Sequence, residues 1–151
     1  MNKPIRQKSD ESKKRMKVAA MKPKYNILVA EDDKEMRILL AGALTKAGYE
    51  VTECPNGFNL LNHLGSYLLS DKHENVDLII SDIRMPGVTG LEVLQGLQKA
   101  RRFPPVILIT AFGDETVHDQ AEQYGVAAMF DKPFDFDDLL TKVREIVPLQ
   151  D

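Results

Sequence analysis

Glu31 and Asp32, Asp82, Thr110 and Lys132 each stand at the end of a short apolar run, so the chain offers three carboxylates, a hydroxyl and an ammonium at matching positions. Three carboxylates within ~5 Å of one another would repel by roughly 3 kcal/mol per pair at an effective dielectric near 20. Such a cluster either raises its own pKa values or holds a cation. A donor set made of oxygen alone, with no His or Cys, favours Mg²⁺, with Mn²⁺ as a substitute, over zinc. One carboxylate then becomes a nucleophile of the kind that aspartyl-phosphate chemistry requires. Phosphoryl transfer asks mainly for in-line geometry and for compensation of the charge on the phosphoryl oxygens. A metal serves one such oxygen, Lys132 another, and the Thr110 hydroxyl with nearby backbone N–H groups a third.

These groups can meet only if the apolar runs are neighbouring strands. Ile27–Ala30, Leu78–Ile80, Val106–Ile109 and Ala127–Phe130 read as strands buried on both faces, and Tyr49–Glu53 is a shorter fifth. Helical periods alternate with them. Met36, Leu39, Leu40, Ala43, Leu44 and Ala47 form one stripe, with Asp33 as N-cap and Gly48 as stop. Phe136, Leu139, Leu140, Val143, Ile146 and Val147 form another, and Leu91, Leu94 and Leu97 a narrower one. A helix is also expected from after Pro55 to Leu69. The helix around Thr116–Tyr124 offers only Val117 and Ala121 to a core, so it is expected to be the least firmly anchored. Parallel strands need crossover connections. The alternation therefore predicts an α/β, flavodoxin-like (βα)5 doubly wound parallel sheet of strand order 2-1-3-4-5, with its site outside the carboxyl ends of the strands.

Composition bounds the rest. Of 151 residues 43% are hydrophobic, which suits a globular core. No run approaches the ~18 apolar residues of a membrane span, and no apolar segment follows the charged N-terminus. A cytoplasmic location is the expectation. Cys54 is the single cysteine, which rules out an internal disulfide, and it reads as a small hydrophobe at a strand end. His63, His73 and His118 lack metal-ligand spacing and read as surface residues. The net charge of −3 conceals a split: residues 1–24 hold nine Lys or Arg against Asp10 and Glu11, a net of +7, leaving 11 basic against 21 acidic residues, a net of −10, in the remainder. We read residues 1–24 as a basic, disordered arm, 25–148 as the folded domain and 149–151 as a tail. The arm could bind nucleic acid or an acidic surface through charge, but nothing beside it reads a base sequence, so nucleic-acid binding is not the main expectation.

Four motifs carry a family resemblance: Ile27–Asp33 (ILVAEDD), Ser81–Gly90 (SDIRMPGVTG), Ile109–Ala111 (ITA) and Asp131–Phe134 (DKPF). In this order and spacing they are highly specific, and over residues 25–148 the chain closely resembles the receiver (CheY-like) domain of two-component response regulators. The resemblance implies a signalling phosphoacceptor, with self-catalysed phosphorylation and dephosphorylation, rather than a metabolic enzyme. Asp82 would take a phosphoryl group from a phosphohistidine on a sensor histidine kinase or histidine phosphotransfer protein. Glu31, Asp32, Asp82 and the Arg84 backbone carbonyl would hold Mg²⁺. Lys132 would pair with the phosphoryl group, across a cis peptide to Pro133, and Thr110 would move inward to it. The output would go to a downstream protein or a further output domain, and a homodimer through the last helices is one form it could take.

One position departs from the family pattern. Receivers usually carry an aromatic residue three positions before the lysine, where its rotamer reports phosphorylation. Here Met129 stands there, and Phe130, one later, should face the other side of the sheet. Met129 becomes the switch candidate with Thr110, because its thioether chain repacks readily. Arg84 and Phe112 are expected to flank the phosphoryl group and restrict attacking water. Other uses of the fold fit poorly. A flavin or nucleotide carrier needs backbone N–H donors free of negative charge after strand one, where Glu31–Asp33 stand. An aspartyl-phosphate hydrolase needs an acid where Arg84 stands. A salt-dependent binding module that uses the basic arm, with the receiver as its regulator, is the alternative.

Overall fold

Each apolar run becomes a strand and each helical period a helix in a computed structural model that describes residues 24–69, 75–98, 103–111 and 115–149. The strands are β1 (Asn26–Ala30), β2 (Glu50–Cys54), β3 (Leu78–Asp82), β4 (Val106–Thr110) and β5 (Ala128–Asp131). The helices are α1 (Lys34–Ala47), α2 (Gly57–Leu69), α3 (Gly90–Leu97), α4 (Glu115–Gln123) and α5 (Phe136–Ile146). All pairings are parallel and the sheet order is β2-β1-β3-β4-β5, as the alternation requires. Most of the basic segment, with His73 and Phe112, lies outside the described residues.

Strand alternation sorts the core into two layers. Ile27, Val29, Leu78, Ile80, Ile107 and Ile109 face α1 and α5, where they meet Leu40, Leu44, Leu139 and Val143. Leu28, Ala30, Ile79, Val106 and Leu108 face the other way, against Leu60 and Leu64 of α2, Val93 and Leu94 of α3, and Ala121 of α4. Local signals fix the helix ends. Asp33 accepts from the Glu35 N–H at 3.0 Å, and Gly48 closes α1 in the left-handed region at φ 111°. Thr89 and Glu92 form a capping box at the start of α3.

Two expectations need correction. The last strand is not buried on both faces: Ala128, Met129 and Phe130 are half-buried and Asp131 is exposed. β5 is an edge strand, paired with β4 alone, and the one residue α4 buries fully, Ala121, is too small to cover it. Leu39 does not belong to the buried stripe of α1; it is 59% exposed, beside Ile38. It sits one residue, about 100° of helix rotation, away from Leu40, which points to the core. Met129 and Phe130 do face opposite layers, Met129 toward the α2–α4 layer and Phe130 toward α5.

At the amino ends of the strands, Tyr25 lines one shallow cleft together with Val147, Pro148 and Leu149. The buried Tyr49 hydroxyl donates to the Val147 carbonyl at 2.6 Å, which ties the start of β2 to the end of α5.

Candidate functional site

The strands end in step, and this register builds the site. Ala30 lies opposite Ser81, Asp82 opposite Ile109, and Thr110 opposite Asp131. Asp82 and Thr110 are the last residues of their own strands, whereas Glu31 and Lys132 come one residue after theirs. The Glu31 N–H donates to the Cys54 carbonyl at 3.1 Å, and the Lys132 N–H to the Thr110 carbonyl at 2.6 Å, so both flanks are pinned to neighbouring strands. The Lys132–Pro133 peptide is cis.

The three acids do converge: one carboxylate oxygen each from Glu31, Asp32 and Asp82 fall within 4.8 Å of one another. Glu31 and Asp82 are buried, while Asp32 faces solvent. Lys132 Nζ donates to Glu31 Oε1 at 2.7 Å and to Asp82 Oδ2 at 2.9 Å. The other Asp82 oxygen, Oδ1, accepts the Arg84 N–H at 3.1 Å, which places that stretch of backbone beside the acceptor. Ser81 turns its hydroxyl to the Asp82 carbonyl at 2.9 Å and so steadies the strand end. Thr110 is buried at the end of β4.

The electrostatics match the crowding. Burial, and then the Asp82 carboxylate alongside, push the Glu31 carboxyl up to about 7, against the pull of Lys132. Burial works against the Lys132 ammonium, yet its bonds to Glu31 and Asp82 outweigh that, and its pKa rises. One ammonium therefore serves two carboxylates, and a third carboxylate stands exposed beside them. The donor chemistry fits a hard divalent cation reached from solvent through Asp32. Cys54 lies fully buried under this corner, and burial raises its thiol to about 11, as expected of an inert packing residue.

Three groups had escaped the sequence reading. Arg37 of α1 donates through Nη1 to the Glu31 carbonyl at 2.9 Å and pairs through Nε with Glu53 at 3.4 Å. A cation in the first turns of a helix opposes the helix dipole, which is the one sequence signal that could have singled it out. His118, read as a surface residue, lies 3.1 Å from Asp131, linking α4 to the residue before Lys132. Ser81 opens the Ser81–Gly90 motif, but nothing in the sequence pointed to its hydroxyl bond with the Asp82 carbonyl.

With this geometry in place, comparison with known proteins is direct. The family model for the response regulator receiver domain matches residues 27–144. Sporulation initiation phosphotransferase F of Bacillus subtilis is 30% identical over 124 residues, which cover 82% of this chain and 94% of that protein. The DNA-binding transcriptional regulator NtrC of Escherichia coli is 34% identical over 121 residues, 80% of this chain but only 24% of NtrC. Among solved structures, the response regulator protein TrrA of Thermotoga maritima, in complex with Mg²⁺–BeF, has a TM-score of 0.69 at 32% identity, covering 82% of this chain and 99% of that one. The chain belongs to the response regulator receiver domain family of two-component systems. No helix among the described residues is long and apolar enough to cross a membrane.

Proposed function

We propose that the chain is a phosphorelay receiver in which Asp82 accepts a phosphoryl group from a phosphohistidine of a sensor histidine kinase or histidine phosphotransfer protein. The carrying observation is the setting of Asp82: a buried carboxylate, bonded to Lys132 and within 4.8 Å of two further acids. An Asp82 carboxylate oxygen attacks phosphorus, the P–N bond to the donor imidazole breaks, and an acyl phosphate forms. Lys132 sits where it can hold one phosphoryl oxygen, and the Thr110 hydroxyl is the candidate for a second. Glu31, Asp32, Asp82 and the Arg84 carbonyl would hold Mg²⁺, which supplies compensation for phosphoryl charge when bound. Support for the metal comes from the oxygen-only donor set here, and a relative in complex with Mg²⁺–BeF is in keeping with it.

The product of this chemistry is a conformation that biases a partner. Thr110 and Met129 are the proposed switch pair, in a cytoplasmic receiver spanning residues 25–148, with the basic segment 1–24 before it and 149–151 after. The target is a downstream protein or an output domain. NtrC, a DNA-binding regulator matched over about a quarter of its length, illustrates the second arrangement. Incubation with Mg²⁺ and acetyl phosphate tests the acceptor. A single base-labile mass increase of one phosphoryl group should map to Asp82 and vanish in Asp82→Asn. An adduct that persists in that variant would overturn the assignment.

The charge split favours a second reading, in which residues 1–24 bind a polyanion and the receiver regulates that contact. Binding should then fall steeply with salt and disappear when residues 1–24 are deleted.

A further inference from the structure

We infer that Arg37 is a positioning residue for the acidic pair, an inference that rests on the metal-site reading of Glu31 and Asp32. Those two carboxylates sit on the short turn between β1 and α1, and a turn is the softest part of the site. Arg37 closes this turn from both of its groups. Its backbone N–H donates to the Asp33 carbonyl at 2.9 Å, the first bond of α1. Its guanidinium reaches back past that turn to the Glu31 carbonyl, also at 2.9 Å. The segment Glu31–Asp33, which carries both acids, is thus bracketed by one residue.

The bracket is anchored sideways as well. Guanidinium Nε pairs with Glu53 of β2 at 3.4 Å, and the next residue of β2, Cys54, accepts the Glu31 N–H at 3.1 Å. Glu31 is therefore held to β2 twice, directly through its N–H and through Arg37 at its carbonyl. The Arg37 side chain is only 15% exposed, so this is no loosely solvated surface pair. Arginine is suited to the place because its planar fork donates in two directions at once, which a lysine ammonium on one stem matches poorly. The location also runs against the local field, since the start of a helix disfavours a cation, so these contacts must outweigh that penalty. A half-buried charge set against the helix dipole and aimed at the carbonyl of a candidate metal ligand has the form of an outer-shell support.

The test uses the full-length chain and Mn²⁺, with free ion counted by electron paramagnetic resonance and melting followed separately in EDTA. Arg37→Met, which keeps the stem and removes both contacts, should weaken Mn²⁺ binding by about 10–100-fold, the usual range for loss of an outer-shell partner. Its melting in EDTA should stay close to that of the parent, and Arg37→Lys should recover part of the affinity. Parental Mn²⁺ affinity in Arg37→Met overturns the role. If Arg37→Met loses its cooperative melt, Glu53→Gln decides instead: about tenfold weaker Mn²⁺ at unchanged melting supports the bracket, and parental affinity overturns it. Asp32→Asn separates the two levels. Parental affinity in that variant removes the metal-site reading, whereas weak binding there beside parental affinity in Arg37→Met removes only the role of Arg37.

Discussion

Glu31 carries the sharpest electrostatic conflict among the described residues, since it is buried and shares one ammonium with Asp82. Its carboxyl is raised from 4.5 to about 7, so between those values the folded chain keeps a proton that the unfolded chain has lost. Stability supplied by this group is therefore present at low pH and lost as pH rises through about 7. Urea unfolding in EDTA should show the parent losing about 2 kcal/mol relative to Glu31→Gln between pH 5 and 7.5. Equal slopes for the two proteins would show that Glu31 titrates normally. Lys132→Ala leaves both buried carboxylates without their ammonium and, in the proposed reaction, removes the counter-charge for the phosphoryl group. Labelling by acetyl phosphate, followed by intact mass, should slow by about 10²-fold. The acidic and basic members of this site were legible in the sequence because each ends an apolar run. Arg37 was not, because its link to Glu31 exists only once the turn has folded back beside β2.

At the scale of elements, two close approaches hold the floor of the site in shape. A Cβ at Gly90 would come within 2.6 Å of the Asp82 carbonyl oxygen and 3.0 Å of the Ser81 hydroxyl. One at Gly57 would collide with the Val88 carbonyl, where the start of α2 meets the loop after β3. Gly90→Ala should therefore cost about 1–3 kcal/mol in urea unfolding, the usual range for overpacking, and should disturb Asp82 directly. A neutral Gly90→Ala would mean that α3 can slide away from the strand end. Helix α4 stands at the other extreme, with Ala121 its one fully buried apolar residue and the His118–Asp131 pair at its flank. Its amides should exchange with deuterium well before those of α1 and α5, which bury leucines on the same core. The sequence anticipated this sparse burial from the apolar spacing in Thr116–Tyr124. It overstated β5 for the same reason, since an apolar run records what could be buried and not whether a neighbour large enough arrives to bury it. Leu39 shows the limit in helical form: a wide apolar stripe does not reveal which of its edges the sheet will meet.

Across the described residues, the carboxyl ends of the strands hold the acidic cluster with Lys132, and the amino ends bring Tyr25 beside Val147 and Leu149. A divalent ion that binds only the folded state must raise its stability by mass action. Mg²⁺ at about 100 times its dissociation constant should add about 2.7 kcal/mol to the parent, and Asp32→Asn should lose most of that gain at the same concentration. A thermal melt with and without EDTA measures both. The fold class was legible because five alternating units admit few right-handed parallel arrangements, whereas the half-buried settings of Met129 and His118 follow from packing that no spacing encodes. The pole opposite the acids has a consequence for engineering. Tyr25 and Leu149, near the two ends of the described domain, line one cleft there, beside the Tyr49–Val147 clasp. A short peptide splice from Leu149 to Tyr25 should leave the acidic pole untouched, and new ends could be cut elsewhere. The same pole would let the unit be inserted whole into a surface loop of another protein, with its acidic end pointing outward.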